Sequence, residues 1–180
     1  GSAPGRRRYG ETGMRVLVVD DHKMFRESVV SFLEREEFCD GVYAAASVEE
    51  AKGLITEHEP DVALVDLSFP GQGGTELVRW SRSAAPGLSC IFLSMHEELA
   101  DLRAAVAAQG RGYVTKSAGY DELRSAVITV AGGGLYLDQI MLRTLFSYLG
   151  DSQSSSVRVP RALQDLTSRE QEVLTMLIRD

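Results

Sequence analysis

Residues 16–21 read Val-Leu-Val-Val-Asp-Asp, an apolar run that ends abruptly in two aspartates. A continuous apolar run of this length is typical of a strand that other elements cover on both faces of its sheet. Comparable runs follow at residues 62–65, 90–93 and 113–115, and a weaker one lies at residues 41–44. The sequence therefore predicts five strands spread along the chain.

Helical patterns occupy the segments between these strands. We expect helices at residues 24–36, 47–58, 76–82, 97–109 and 121–131, and an amphipathic linker helix at residues 138–149. The second helix opens with a capping box from Ser47 to Glu50, and Gly110 is expected to close the fourth as its C-cap. Five alternations of strand and helix imply an α/β fold, a doubly wound five-stranded parallel sheet with helices on both faces.

Composition limits the classes of function. The chain has 180 residues, 44% of them hydrophobic, which leaves room for one full domain and a fragment of another. A net charge of -7 argues against nucleic-acid binding by this chain alone. No apolar run approaches the roughly 20 residues that cross a bilayer, so we expect no membrane association. Cys39 and Cys90 lack a framework of further cysteines, which favours a reducing, cytoplasmic location.

Polar side chains follow four of the predicted strands, namely Asp20-Asp21, Asp66, Ser94 and Lys116. Because ligands of open parallel sheets bind outside the carboxyl ends of the strands, we expect these side chains to meet in one crevice. Three clustered carboxylates stay ionised only beside cations, and Mg²⁺ suits such an all-oxygen site. Asp66 is then a candidate nucleophile for phosphoryl transfer, with Lys116 and Ser94 as partners of the phosphoryl oxygens.

Each of these residues also has an ordinary explanation when it is taken alone. An aspartate at a strand end is common in turns, Ser94 fits a helix N-cap, and Lys116 fits a solvated surface lysine. The combination of all of them in one predicted crevice is what favours a phosphoryl-transfer site.

Four motifs in this order resemble the receiver domain of two-component response regulators. The motifs are Val16-Leu17-Val18-Val19-Asp20-Asp21-His22, Leu64-Val65-Asp66-Leu67-Ser68-Phe69-Pro70-Gly71, Leu93-Ser94-Met95-His96-Glu97 and Gly112-Tyr113-Val114-Thr115-Lys116. The resemblance extends over residues 14–134 and implies a flavodoxin-like sheet with strand order 2-1-3-4-5. It implies a switch rather than an enzyme, although a receiver can catalyse its own phosphorylation and dephosphorylation.

The resemblance also implies roles for single residues. Asp66 would accept phosphate from a sensor histidine kinase. Asp21 and Asp66 would bind Mg²⁺ with the backbone carbonyl of Ser68 and a contribution from Asp20.

Further roles concern the bound phosphoryl group and the response to it. Ser94 and Lys116 would hold the phosphoryl group, and Tyr113 is similar to the switch aromatic that turns inward when Ser94 moves. Residues 97–131 correspond to the usual output and dimerisation face of the family. The resemblance therefore implies a homodimer that depends on phosphorylation.

The C-terminal part narrows the resemblance to the NarL/FixJ family. Residues 134–137 resemble its interdomain junction, and residues 166–174 resemble the opening of a LuxR-type helix-turn-helix domain, whose recognition helix would come later. We expect a disordered extension carrying a tag remnant at residues 1–13, the receiver at 14–134, a linker helix and flexible linker at 135–160, and a truncated DNA-binding domain at 161–180. DNA would then be a partner of the full-length protein only, which would control transcription.

Three other classes of protein are alternatives to a receiver. A Mg²⁺-dependent phosphatase with an aspartate nucleophile needs a second aspartate two positions later, where this chain has Ser68. A small-molecule binder of the flavodoxin type needs a phosphate-cradling loop after the first strand, where this chain has acidic residues. A pseudo-receiver that acts only by protein contacts, without phosphorylation, is a third alternative.

Overall fold

The computed structural model describes residues 13–151 of the chain. The elements in chain order are β1 (Met14–Val19), α1 (Lys23–Leu33), β2 (Cys39–Ala45), α2 (Val48–His58), β3 (Val62–Asp66), a 3₁₀ turn (Pro70–Gln72), α3 (Gly73–Ala84), β4 (Ser89–Ser94), α4 (Leu99–Ala107), β5 (Gly112–Thr115), α5 (Tyr120–Ala131), β6 (Tyr136–Leu137) and α6 (Gln139–Asp151). No helix within this described range is long and apolar enough to cross a bilayer.

The sheet is parallel throughout and has the order β2-β1-β3-β4-β5-β6. The predicted order 2-1-3-4-5 is confirmed, and the predicted number of five strands is wrong. The sixth strand, β6, pairs with β5 through Gly112 opposite Tyr136 and Tyr113 opposite Leu137. A strand of two residues is too short to show an apolar period, so pairing with β5 rather than local pattern creates it.

The sheet separates two apolar clusters. In β1, Leu17 and Val19 belong to one cluster, whereas Val16 and Val18 belong to the other. Helices α2, α3 and α4 contribute side chains to the first cluster, and α1 and α5 contribute to the second. Since successive side chains of a strand point to opposite faces, helices on both faces explain why the strand sequences are apolar without alternation.

Contacts divide the chain into two compact units, and the first, which ends at Thr144, contains every strand described above. The linker helix predicted at residues 138–149 corresponds to α6. The predicted extension before residue 13 and the predicted helix-turn-helix start at residues 161–180 lie outside the described residues. The domain boundaries therefore stay predictions.

The start of α2 and the end of α4 were both predicted from local sequence signals. The predicted N-cap of α2 is confirmed, because Ser47 Oγ accepts the Glu50 N–H at 3.1 Å. The reciprocal bond is displaced by one residue, since the Glu50 carboxylate accepts the N–H of Ala46 at 2.8 Å rather than that of Ser47. The predicted C-cap at Gly110 is wrong, because Gln109 adopts the left-handed conformation with φ of 63°. Gly110 is required for another reason, since a Cβ there would lie 2.6 Å from Cδ2 of Phe92.

Substitution of Gly110 by Ala is expected to lower the free energy of unfolding by about 1–3 kcal/mol, because the new methyl group overpacks against Phe92. Gly53, inside α2, is the matched control, since a Cβ there meets no atom within 4 Å. Gly53→Ala should raise stability by about 0.5–1 kcal/mol. Urea unfolding of the 180-residue chain measures both, and equal shifts of the same sign would contradict this account.

An aromatic contact joins α5 to α1, and a polar contact joins α5 to the segment that follows α1. Arg124 donates to both carboxylate oxygens of Glu36, from Nε at 2.7 Å and from Nη2 at 2.8 Å. The Phe32 ring stacks on Tyr120 with a centroid distance of 4.5 Å. The hydrogen bonds from Arg124 hold the pKa of Glu36 below its ordinary value of 4.5.

This lowered pKa predicts a dependence of stability on pH. The folded state favours the ionised Glu36, so the contribution is complete above pH 4.5 and is lost as the pH falls through the lower folded-state pKa. The stability difference between wild type and Glu36→Gln should therefore shrink on acidification. Glu37→Gln, at an exposed neighbour, is the control. Urea midpoints measured from pH 7 to pH 3 give the comparison, and a constant difference would contradict the prediction.

Candidate functional site

The carboxyl edge of the sheet brings the predicted residues together. Asp20 directly follows β1, Asp66 ends β3, Ser94 ends β4 and Lys116 directly follows β5. The strands are parallel and in register, with Ser94 opposite Thr115, so their ends lie side by side. The polar residues at the strand ends are adjacent because β1, β3, β4 and β5 are consecutive neighbours in the sheet.

Lys116 connects two fully buried carboxylates. Its Nζ lies 2.7 Å from Asp20 Oδ2 and 3.2 Å from Asp66 Oδ2, and its side chain is only 2% exposed. Neither of these two oxygens has a hydrogen bond of ordinary geometry within the described residues, so the contacts are those of ion pairs. The ammonium also lies 4.9 Å from the centre of the Phe25 ring. The ordinary reading of Lys116 as a solvated surface lysine is therefore excluded.

Asp66 is held at its backbone and at one carboxylate oxygen. Its Oδ1 accepts the Ser68 N–H at 3.0 Å. A Cβ on Gly74, at the start of α3, would lie 2.2 Å from the Asp66 carbonyl oxygen, so only glycine permits this close packing. Burial raises the pKa of the Asp66 carboxyl and the Asp20 charge raises it further, whereas Lys116 and the Ser68 N–H oppose the shift. A further cation beside Asp66 would favour the ionised form.

An acidic cluster lies beside this ion pair. Ligand atoms of Asp20, Asp21, His22 and Asp66 all lie within 4.8 Å of one another. His22 Nδ1 is 3.2 Å from Asp20 Oδ1, 3.1 Å from Asp21 Oδ1 and 3.9 Å from Asp66 Oδ2. The three carboxylates offer the oxygen donors that Mg²⁺ prefers, and the single lysine leaves excess negative charge for it. The sequence reasoning did not include His22 in the cluster, although its position directly after Asp21 was the available signal.

Ser94 and Tyr113 belong to a separate hydrogen-bond network. The Ser94 hydroxyl accepts the His96 N–H at 3.1 Å and donates to Asp101 Oδ2 at 3.3 Å. Helix α4 begins at Leu99 with Glu98 at its N-cap position, so Ser94 is no helix cap. The Lys116 N–H donates to the Ser94 carbonyl oxygen at 2.7 Å, but within residues 13–151 no hydrogen bond joins the Ser94 hydroxyl to Asp66 or to the Lys116 ammonium.

Tyr113 has an inward, buried ring, which is 2% exposed. Its hydroxyl donates to the His96 carbonyl oxygen at 2.9 Å. Burial raises the pKa of Tyr113 to about 12, and the neighbouring Ser94 hydroxyl opposes that shift. The ordinary alternative, a half-buried strand tyrosine, does not describe this residue.

Comparison with known proteins agrees with this arrangement. The sequence pattern that defines the response regulator receiver domain family matches residues 16–128. This chain belongs to the response regulator receiver family. The chain is 34% identical to the transcriptional activator protein ExaE of Pseudomonas putida, over 92% of this chain and 76% of that protein. It is 32% identical to the DNA-binding transcriptional activator DevR/DosR of Mycobacterium tuberculosis, over 91% of this chain and 74% of that protein.

Solved structures agree with the same assignment. A LuxR-family two-component response regulator from Aurantimonas sp. SI85-9A1 superposes with a TM-score of 0.69 and 29% identity, over 80% of the receiver chain and all of that chain. The predicted family and the predicted flavodoxin-like fold class are therefore confirmed. The roles assigned to single residues of the receiver stay predictions.

Removal of the Lys116 charge should destabilise the receiver. Lys116→Ala leaves Asp20 and Asp66 buried without their cation, so without divalent metal we expect a loss of about 3 kcal/mol in the free energy of unfolding. Lys23→Ala is the matched control, because Lys23 is 76% exposed and pairs with Glu27 only at 3.8 Å. Urea unfolding at neutral pH decides, and similar losses in both variants would contradict the role of the buried ion pair.

Proposed function

We propose that Asp66 accepts a phosphoryl group from a sensor histidine kinase and that this modification switches the output surface of the receiver. The observation that carries the proposal is the environment of Asp66. This fully buried carboxylate has an ammonium group 3.2 Å from its Oδ2 and ligand atoms of Asp20, Asp21 and His22 within 4.8 Å, all at the carboxyl ends of parallel strands. This edge is where ligands of doubly wound sheets bind.

In the proposed transfer, Asp66 Oδ2 attacks the phosphorus atom of a phosphohistidine in line with the departing nitrogen. One O–P bond forms while one N–P bond breaks, and the imidazole leaves with the electron pair of that bond. The Ser68 N–H holds Asp66 Oδ1 and so orients the attacking oxygen. Lys116 pairs with the carboxylate before transfer and can pair with a phosphoryl oxygen afterwards, as phosphoryl transfer requires.

The donor set also fits a bound Mg²⁺. Asp20, Asp21 and Asp66 would supply carboxylate oxygens, and the Ser68 carbonyl would supply a backbone oxygen. When bound, the ion neutralises charge on the carboxylates and on the phosphoryl oxygens. The surplus of three carboxylates over one ammonium supports this proposal.

The response would run through Ser94 and Tyr113. In this structure the Ser94 hydroxyl engages Asp101, and we infer that it turns toward the phosphoryl oxygens after modification. Because Tyr113 donates to the carbonyl of His96, the loop that follows Ser94 would move with it. Residues 97–131 would then present a changed surface for dimerisation, and a DNA-binding domain in the full-length protein would carry the signal to transcription, as the names of ExaE and DevR/DosR suggest by analogy.

The phosphatase alternative lacks the proton donor that its chemistry requires. Ser68 is exposed and stands where a phosphatase of this type needs an acidic proton donor. The pseudo-receiver alternative makes a different prediction, namely that Asp66 takes no phosphoryl group under any condition.

Incubation with Mg²⁺ and acetyl phosphate, followed by intact mass measurement, tests the proposal. We expect a gain of one phosphoryl group on the wild type and none on Asp66→Asn. Asp61→Asn is the matched control, because Asp61 precedes β3 at the opposite edge of the sheet and should leave the gain unchanged. Absence of the gain in the wild type, together with no binding of beryllofluoride, would favour the pseudo-receiver.

A further inference from the structure

Asp138 is a fully buried carboxylate that lies outside the proposed phosphoacceptor site. Its Oδ2 accepts the backbone N–H of Thr115 at 2.5 Å, and its Oδ1 accepts the backbone N–H of Met141 at 2.8 Å. The Asp138 N–H donates to the Tyr113 carbonyl oxygen at 3.2 Å. One side chain therefore joins the last residue of β5 to the first turn of α6.

Both ends of this connection are fixed. Thr115 is 1% exposed and directly precedes Lys116, whose ammonium contacts Asp66. Met141 is fully buried in the apolar cluster that also contains Tyr113. The Leu142 N–H donates to the Asp138 carbonyl at 2.9 Å, which forms the first helical turn of α6. If the end of β5 moves, the Thr115 N–H that donates to Asp138 therefore moves with it.

The short strand β6 places Asp138 in this position. Tyr136 and Leu137 pair with Gly112 and Tyr113, and Asp138 follows directly, with its N–H on the Tyr113 carbonyl oxygen. A position at a helix N-terminus does not by itself require aspartate, because Ser and Asn cap helices about equally well. A carboxylate has two acceptor oxygens, whereas Asn and Ser each have a single side-chain oxygen.

We propose that Asp138 is a positioning residue that couples the phosphoacceptor edge to the start of the linker helix α6. The coupling uses both carboxylate oxygens, one for the strand that carries Lys116 and one for the first turn of the helix. The inference rests on the proposed phosphorylation of Asp66, because modification there changes the partner of Lys116 and so the force on the end of β5.

The substitution Asp138→Asn separates coupling from capping. Asparagine has one side-chain acceptor oxygen, which can accept the N–H of Met141 or that of Thr115 but cannot reach both. Its NH₂ group then faces the other N–H, so two donors oppose each other. Asp138→Ser is a second variant that retains a good helix cap and loses the longer reach to β5. Asp121→Asn is the matched control, because Asp121 lies in the first turn of α5 with a side chain that is 93% exposed.

The experiment compares amide hydrogen exchange with and without beryllofluoride and Mg²⁺ in the 180-residue chain. Fluorine NMR reports beryllofluoride binding separately, and the exchange rates of the Thr115, Met141 and Leu142 amides report the connection. In the wild type and in Asp121→Asn, beryllofluoride should change exchange at Met141 and Leu142 by about threefold or more. In Asp138→Asn and Asp138→Ser, beryllofluoride should still bind, and this change should disappear.

The possible failures are distinguishable. If the wild type binds beryllofluoride without any change at Met141 and Leu142, the coupling is contradicted. If either Asp138 variant binds it and retains the wild-type change, Asp138 is only a helix cap and the inference is wrong. If fluorine NMR detects no binding to the wild type, the proposed function fails, and this inference fails with it.

Discussion

The contact of one buried ammonium group with two buried carboxylates is the constraint on which the rest of this structure depends. Asp20 and Asp66 have no exposed surface, and Lys116 is their shared cation. Burial of ions is costly, so such a group persists only where the surrounding elements hold its geometry firmly. The three residues stand at the ends of β1, β3 and β5, and helices on both sides of the sheet fix these strands.

The same contact supports the proposed switch. One ammonium does not balance the carboxylates around it, and burial already raises the pKa of Asp66. A bound cation, or a phosphoryl group on Asp66, would change the electrostatic attraction between the carboxylates and Lys116, which directly follows β5. Thr115 ends this strand and donates to Asp138, which in turn accepts the Met141 N–H, so the effect would have a short physical route to α6.

The sequence alone allowed prediction of the features that repeat along the chain and of the polar residues that cluster at the strand ends. Apolar runs ending in Asp20, Asp66 and Lys116 predicted both the parallel sheet and the crevice, because one pattern specified strand and site together. It was insufficient where tertiary contact decides: β6 is two residues long, and Gly110 is required by the Phe92 ring rather than by helix capping. Asp138 was assigned only to the start of a helix, since nothing local indicates that its second oxygen reaches β5.

The short strand β6 has a consequence for the behaviour of the protein at high concentration. An edge strand offers unpaired backbone groups to other chains, and long edges invite association into larger sheets. Here β6 covers β5, and it presents only Tyr136 and Leu137 before α6 begins. The sheet is therefore blunted at this edge, which protects β5, the strand that carries Tyr113 and leads to Lys116, from pairing with a second molecule.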